Sequence, residues 1–180
     1  MLAVIGGELR GRKIRSPEGV RPTSAKVREA VFDLLQAHPR AVTGARWLDV
    51  CAGTGAMGIE ALSRGAAAAV FVEQSRPARA VLARNLRDLG LEARATVVAG
   101  LADAVIADLA RRSETFDAVF LDPPYRDDPA PLIDACRGVL SAGGILVAEL
   151  ATRRVIDLPE GTRRRRYGDT TIALVPGIAP

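Results

Sequence analysis

From residue 45 onward the chain alternates short apolar runs with helical segments, and that rhythm restricts the fold more than any other feature. Runs over 46–50, 69–73, 94–98, 116–121 and 145–150 read as strands, rich in Val, Leu, Phe and Ala. Between them, 57–64, 76–89, a segment ending near 110, and 131–140 read as helices. Val81, Leu82 and Leu86 share one face of the second. Short apolar strands separated by helices predict a parallel sheet covered on both faces. The end breaks the rhythm: 164–167 and 170–175 flank Gly168-Asp169, an antiparallel hairpin. Ahead of the alternation, 2–5 and 12–15 read as two short strands around Gly6, Gly7 and Gly11. Thr23 or Ser24 then caps a helix with Val27, Val31, Leu34 and Leu35 on one face, ending near His38-Pro39. At 180 residues, 48% apolar and 26% charged, one domain with a substantial core is expected.

The net charge of +4 is a modest hint of a polyanionic partner, and its distribution says more. Arg10, Arg12, Lys13, Arg15, Arg21, Lys26 and Arg28 crowd the first thirty residues against Glu8, Glu18 and Glu29. A second run, 163–166, is all arginine; on an edge strand, alternate residues would face water. Cys51 and Cys136 lie in apolar contexts, as expected of buried thiols in a reducing cytoplasm. His38 is the single histidine, so no metal-binding spacing exists and no metal is expected. Gly6, Gly7 and Glu8 interrupt the N-terminus before any signal-peptide length is reached, and no segment suits a membrane span.

Asp49-Val50-Cys51-Ala52-Gly53-Thr54-Gly55-Ala56-Met57-Gly58 joins a strand to a helix through G-x-G-x-x-G. Glu73 closes the next strand about 20 residues on, where an acid can hold ribose hydroxyls. Two enzyme classes fit: a nicotinamide dehydrogenase, with a pyrophosphate on the glycines, or an S-adenosylmethionine (AdoMet) methyltransferase, with an amino acid moiety there. Asp49 favours the second, because a carboxylate before the glycines repels a pyrophosphate and attracts a cationic amino group.

The run over 116–121 stops on Asp122-Pro123-Pro124-Tyr125. Neither proline can extend a ladder, so the acid and the ring sit on a stiff loop at the edge where open α/β sheets bind ligands. An acceptor beside an aromatic face suits an amino-bearing planar base. By itself the tetrapeptide would pass for a turn; beside the glycine loop and Glu73 it gains chemical meaning.

Asp49 to Gly55, Glu73 and Asp122 to Tyr125 resemble the cofactor and target-amino motifs of the seven-stranded, Rossmann-like AdoMet-dependent methyltransferases. Gly6-Gly7-Glu8-Leu9-Arg10-Gly11-Arg12, Arg21-Pro22-Thr23, Arg28-Glu29-Ala30-Val31-Phe32, the stretch over 58–66 and Tyr167-Gly168-Asp169-Thr170 narrow the resemblance. They are similar to the RsmD-type family, which methylates N2 of a guanine in 16S ribosomal RNA. The resemblance spans essentially the whole chain and implies two parts: a basic RNA-binding extension over 1–40 and a methyltransferase domain over 41–180. It implies AdoMet held by Asp49, Ala52, Gly53, Thr54, Gly55, Glu73, Gln74, Leu101, Ala102 and Asp122. Asp122 and the carbonyl of Pro123 would orient the target amine, Pro124 would stiffen the loop, and Tyr125 would stack on the base. RNA would be held by Arg10, Arg12, Lys13, Arg15, Arg21 and Arg28. The expected partner is 16S ribosomal RNA, free or in an assembling subunit, met by a cytoplasmic monomer. One departure stands out: Leu101 occupies the position where the family usually has an acid near the adenine, and Asp103 follows two residues later. An adenine-N6 methyltransferase and a non-catalytic RNA-binding assembly factor of the same fold remain alternatives.

Overall fold

The computed structural model describes residues 2–16, 23–123, 128–154 and 156–178. Strands β1 (Leu2–Ala3) and β2 (Lys13–Ile14) pair antiparallel and are shorter than the sequence suggests. The ladder ends early because Ile5 and Gly6 donate their N–H groups to the Glu60 carboxylate, at 2.8 and 2.7 Å. Gly7 then turns at φ +75°, so close to the next element that a Cβ there would lie 1.8 Å from the Ser63 carbonyl oxygen. Helix α1 (Ala25–Leu35) is capped by Ser24, whose hydroxyl accepts from the Val27 N–H. It stops short of His38, and Pro39 opens a separate 3-10 turn (Pro39–Ala41). Proline disfavours helical backbone in the residue before it, which is why the break falls there.

The alternation follows as strands β3 (Arg46–Val50), β4 (Ala68–Glu73), β5 (Ala95–Ala99), β6 (Phe116–Leu121) and β7 (Leu140–Ala151). Helices α2 (Ala56–Ser63), α3 (Arg76–Asp88), α4 (Ala102–Arg111) and α5 (Ala130–Arg137) connect them. α5 ends before residue 140 because Leu140 already pairs with Phe116; the register then shifts before Ala118 meets Ile145. β8 (Arg163–Tyr167) and β9 (Thr170–Pro176) form the expected hairpin around Gly168-Asp169.

One seven-stranded sheet results, in the order β5-β4-β3-β6-β7-β9-β8. β3 to β7 run parallel, and β9 lies antiparallel between β7 and β8. Alternate residues divide the core between the two faces. Trp47, Phe71 and Phe120 pack with α1, α2 and α3; Leu48, Val70, Val119 and Leu146 pack with α4 and α5. Val4 and Ile14 of the N-terminal hairpin are buried in the first of these cores, so the hairpin is packed into the sheet's own interior. The chain builds outward from β3 through β4 to β5, then returns to β6 on the other flank. The crevice between β3 and β6 is the switch point where such sheets bind ligands.

Candidate active site

Strand register sets the site. Val50 lies opposite both Val72 and Leu121, so Cys51, Glu73 and Asp122 follow side by side at the carboxyl edge. The Ala52 N–H donates to the Val72 carbonyl at 2.9 Å, which bends the glycine loop over β4. Cys51 adopts φ +63°, a conformation disfavoured for a side chain and a local strain that the sequence pattern does not reveal.

Asp49 is 2% exposed and accepts the Gly58 N–H at 2.9 Å. A Cβ at Gly58 would lie 2.3 Å from the Phe71 ring, so glycine lets α2 press onto the sheet and deliver that N–H. Burial pushes the Asp49 carboxyl up to about 8, the Gly58 hydrogen bond opposes this, and the charges of Asp122 and Glu73 add to it. Glu73 accepts the Gly53 N–H at 2.8 Å and the Ser75 N–H at 2.7 Å, fastening the glycine loop to the end of β4. The Cys51 thiol is pushed up to about 12 by burial and by the surrounding carboxylates, which suits packing and not nucleophilic attack.

A cavity of about 670 Å³ opens at this edge, a size that suits a nucleoside-bearing ligand. Of the expected cofactor residues, Glu73, Gln74, Leu101, Ala102 and Asp122 line it. Asp49 lies beneath the glycine loop, and Ala52, Gly53, Thr54 and Gly55 form the loop without lining the cavity. Leu101 is 57% exposed and precedes α4. Asp103, two residues on, lines the same cavity, so the displaced acid still reaches it.

On the other side of Asp122 lies a second cavity of about 490 Å³, lined among others by Thr23, Glu149, Arg153, Tyr167 and Asp169. Asp122 lines both cavities. Burial pushes its carboxyl up to about 7, and the charge of Glu149 adds to the rise. The sequence reading missed Glu149, Thr23 and Arg153 at this site. The signal for Glu149 was a lone acid near the end of an otherwise apolar strand. Pro123 is buried beside Asp122, while Pro124 and Tyr125 lie outside the described residues.

Arg10, Arg12, Lys13 and Arg15 are all exposed, and Arg21 lies outside the described residues. Arg12, Lys13 and Arg15 line a shallow groove against the end of α3, where Arg12 donates to the Asp88 carbonyl and Arg15 meets the Asp88 carboxylate at 3.1 Å. Arg28 corrects the expectation of an RNA contact. It is 1% exposed, paired to Glu60 at 3.4 Å, and donates to the Ala3 carbonyl at 3.0 Å. Its helix turns it inward to anchor the hairpin, so it cannot reach a phosphate. The four arginines of β8 are all exposed, on both faces of the edge strand and not on one. Among the described residues, no group of His, Cys, Asp or Glu is placed to hold a metal ion, and no helix is long and apolar enough to cross a membrane.

Residues 2–176 match the family described as "Conserved hypothetical protein 95", the RsmD-type family. This chain belongs to that family. The RsmD-type chain is 35% identical over 185 residues to YlbH of Bacillus subtilis (strain 168), covering 96% of this chain and 97% of YlbH. YlbH bears the provisional name of an rRNA methyltransferase. The chain is also 40% identical over 131 residues to ribosomal RNA small subunit methyltransferase D of Escherichia coli (strain K12), covering 69% of this chain and 61% of that enzyme. Among solved structures, the Thermus thermophilus protein TTHA0928 superposes with a TM-score of 0.86 at 34% identity, covering 97% of this chain and 99% of that one.

Proposed function

We propose that this rRNA methyltransferase transfers a methyl group from AdoMet to the exocyclic N2 amine of a guanine in 16S ribosomal RNA. The observation that carries the reading is the position of Asp122: one carboxylate lines both the cavity beside the glycine loop and the cavity beside Glu149. A reaction joining two substrates needs such a shared wall.

The residues of the first cavity fit AdoMet. Glu73 offers carboxylate oxygens to a ribose, and Gln74, Leu101, Ala102 and Asp103 flank the space an adenine would take. Asp49, Glu73 and Asp122 together make the edge favourable to a cation. AdoMet supplies an electrophilic methyl group on a sulfonium. The chain supplies position and charge. Asp122 accepts one N2–H of the target, and the Pro123 carbonyl accepts the other. Those two bonds aim the nitrogen lone pair and stabilise the positive charge that develops on it. Holding the amine in a reactive position is worth up to about 7–11 kcal/mol in ideal cases. Asp122, pushed up to about 7, is also suited to take the released proton near neutral pH. Pro124 would stiffen the loop and Tyr125 would stack on the base. The base must leave its helix or come from a loop to enter the second cavity. The exposed Arg10, Arg12, Lys13 and Arg15 would grip phosphates, as would Arg21.

The test is mass spectrometry of small-subunit rRNA from cells lacking the gene. Loss of one N2-methylguanosine, restored by the wild-type protein and not by Asp122→Ala, is the expected result. Loss of N6-methyladenosine instead would replace guanine with adenine as the target. Unchanged rRNA modification would leave the reading without its reaction.

A further inference from the structure

Glu149 is 5% exposed, an acid in the apolar stretch of β7 between Ala148 and Leu150. Leu121 of β6 pairs with Ala148 of β7, so Asp122 and Glu149 are the next residues along two neighbouring parallel strands. Adjacent strands run about 4.8 Å apart, and residues at the same level share a face of the sheet. Both carboxylates line the second cavity, where the Thr23 hydroxyl donates to Glu149 Oε2 at 3.0 Å and orients it. Two acids side by side in one cavity suit a ligand edge that presents adjacent hydrogen-bond donors. Guanine has such an edge, N1–H beside the N2 amine. Adenine presents an acceptor at N1 beside its amine, and cytosine presents one at N3; either would set a lone pair against a buried carboxylate.

Resting on the proposed methylation of guanine N2, we infer that Glu149 accepts the N1–H of the target and is the residue that selects guanine over other amino-bearing bases. Asp122 takes the reacting amine, Glu149 reads its neighbour, and Thr23 holds Glu149 in place. A site built to bond a particular donor rejects an analogue lacking it by a large factor, because its own polar group is left unpaired. The competing account gives Glu149 one task, fastening the residues before α1 to the sheet through Thr23.

The analogue that separates them is 2-aminopurine. It keeps the 2-amino group and carries an acceptor at N1. Small-subunit rRNA with the mapped target replaced by guanosine or 2-aminopurine riboside, made by splinted ligation and assembled into particles, supplies both substrates. The wild-type protein should prefer guanosine in kcat/KM by roughly 10⁴-fold. In Glu149→Gln the amide offers both a donor and an acceptor, so that preference should fall at least about tenfold. The missing O6 of 2-aminopurine affects both proteins alike and cancels in the comparison. Thr23→Val removes the hydrogen bond that orients Glu149 but keeps the carboxylate acceptor, so it should lower the preference by less than Glu149→Gln does. Equal losses on both substrates in Glu149→Gln, with the preference unchanged, overturn the inference. So does a wild-type protein that takes both substrates alike, a result that needs no variant to fold. No methylation of guanosine particles by the wild type would sink the proposed reaction itself.

Discussion

Glu60 is fully buried and gathers four donors: the N–H groups of Ile5 and Gly6, Arg28 at 3.4 Å and Arg64 at 2.8 Å. Burial pulls the Arg28 guanidinium below its ordinary value, and Glu60 is the partner that opposes this. Removing one member of a buried pair strands the other and costs about 3–5 kcal/mol. Arg28→Ala should therefore lower unfolding stability by about that amount in urea titrations. The folded fraction should keep the wild-type salt dependence of RNA binding. A shift in that slope would return Arg28 to the RNA surface. Glu73 poses a different case, since its oxygens hold Gly53 and Ser75 and also face the cavity. Glu73→Ala should weaken AdoMet binding at least several-fold by calorimetry, from the lost charge-assisted bond and the slackened glycine loop. Unchanged affinity would place the ribose elsewhere.

At the scale of the element, the N-terminal hairpin has two sides with different work. Val4 and Ile14 are packed into the core, whereas Arg10, Arg12 and Lys13 project outward. Neutralising those three together should leave the fold and AdoMet affinity intact while weakening RNA binding. The slope of log K against log salt should fall by roughly 0.7–0.9 for each phosphate that the variant no longer neutralises. The rival element is β8, whose four arginines are exposed on the sheet edge. Normal RNA binding by the hairpin variant, with failure of a variant neutralised at 163–166, would transfer the RNA surface to β8.

Across the molecule, the carboxyl edge of the sheet concentrates acids that the fold makes costly to ionise. Asp49 is pushed up to about 8 and Asp122 to about 7, from an ordinary value of 3.8. Between about pH 4 and 8 the folded state therefore binds more protons at these two sites than the unfolded chain does. Their contribution makes the ligand-free protein less stable as pH rises through that window, and the penalty is complete above it. Asp49→Asn should flatten the fall in melting temperature between pH 5 and 8, read by calorimetry. A bound cation favours the ionised carboxylates, so AdoMet binding at pH 7 should release protons and tighten as pH rises to 8. Calorimetry in buffers of different ionisation enthalpy reads that release; proton uptake would contradict it.

The strand–helix alternation, the terminal hairpin and the glycine loop were legible in the chain because each is a local pattern. Periodicity decides which residues are buried in a strand or helix, and glycine or proline punctuation decides where it stops. The ends of α1 and α5 were less legible, because a 3-10 turn at Pro39 and the pairing of Leu140 with Phe116 compete with helix propensity. What tertiary structure alone decided is which charges meet. Arg28 reads as one more residue of a basic N-terminus; only the packing of α1 against α2 and the hairpin turns it toward Glu60. Asp122 and Glu149 are separated by a helix and most of a strand, and only the parallel register of β6 with β7 brings them level. A sequence displays charge, but burial and pairing set what that charge costs and what it can bind, and both depend on residues distant in the chain.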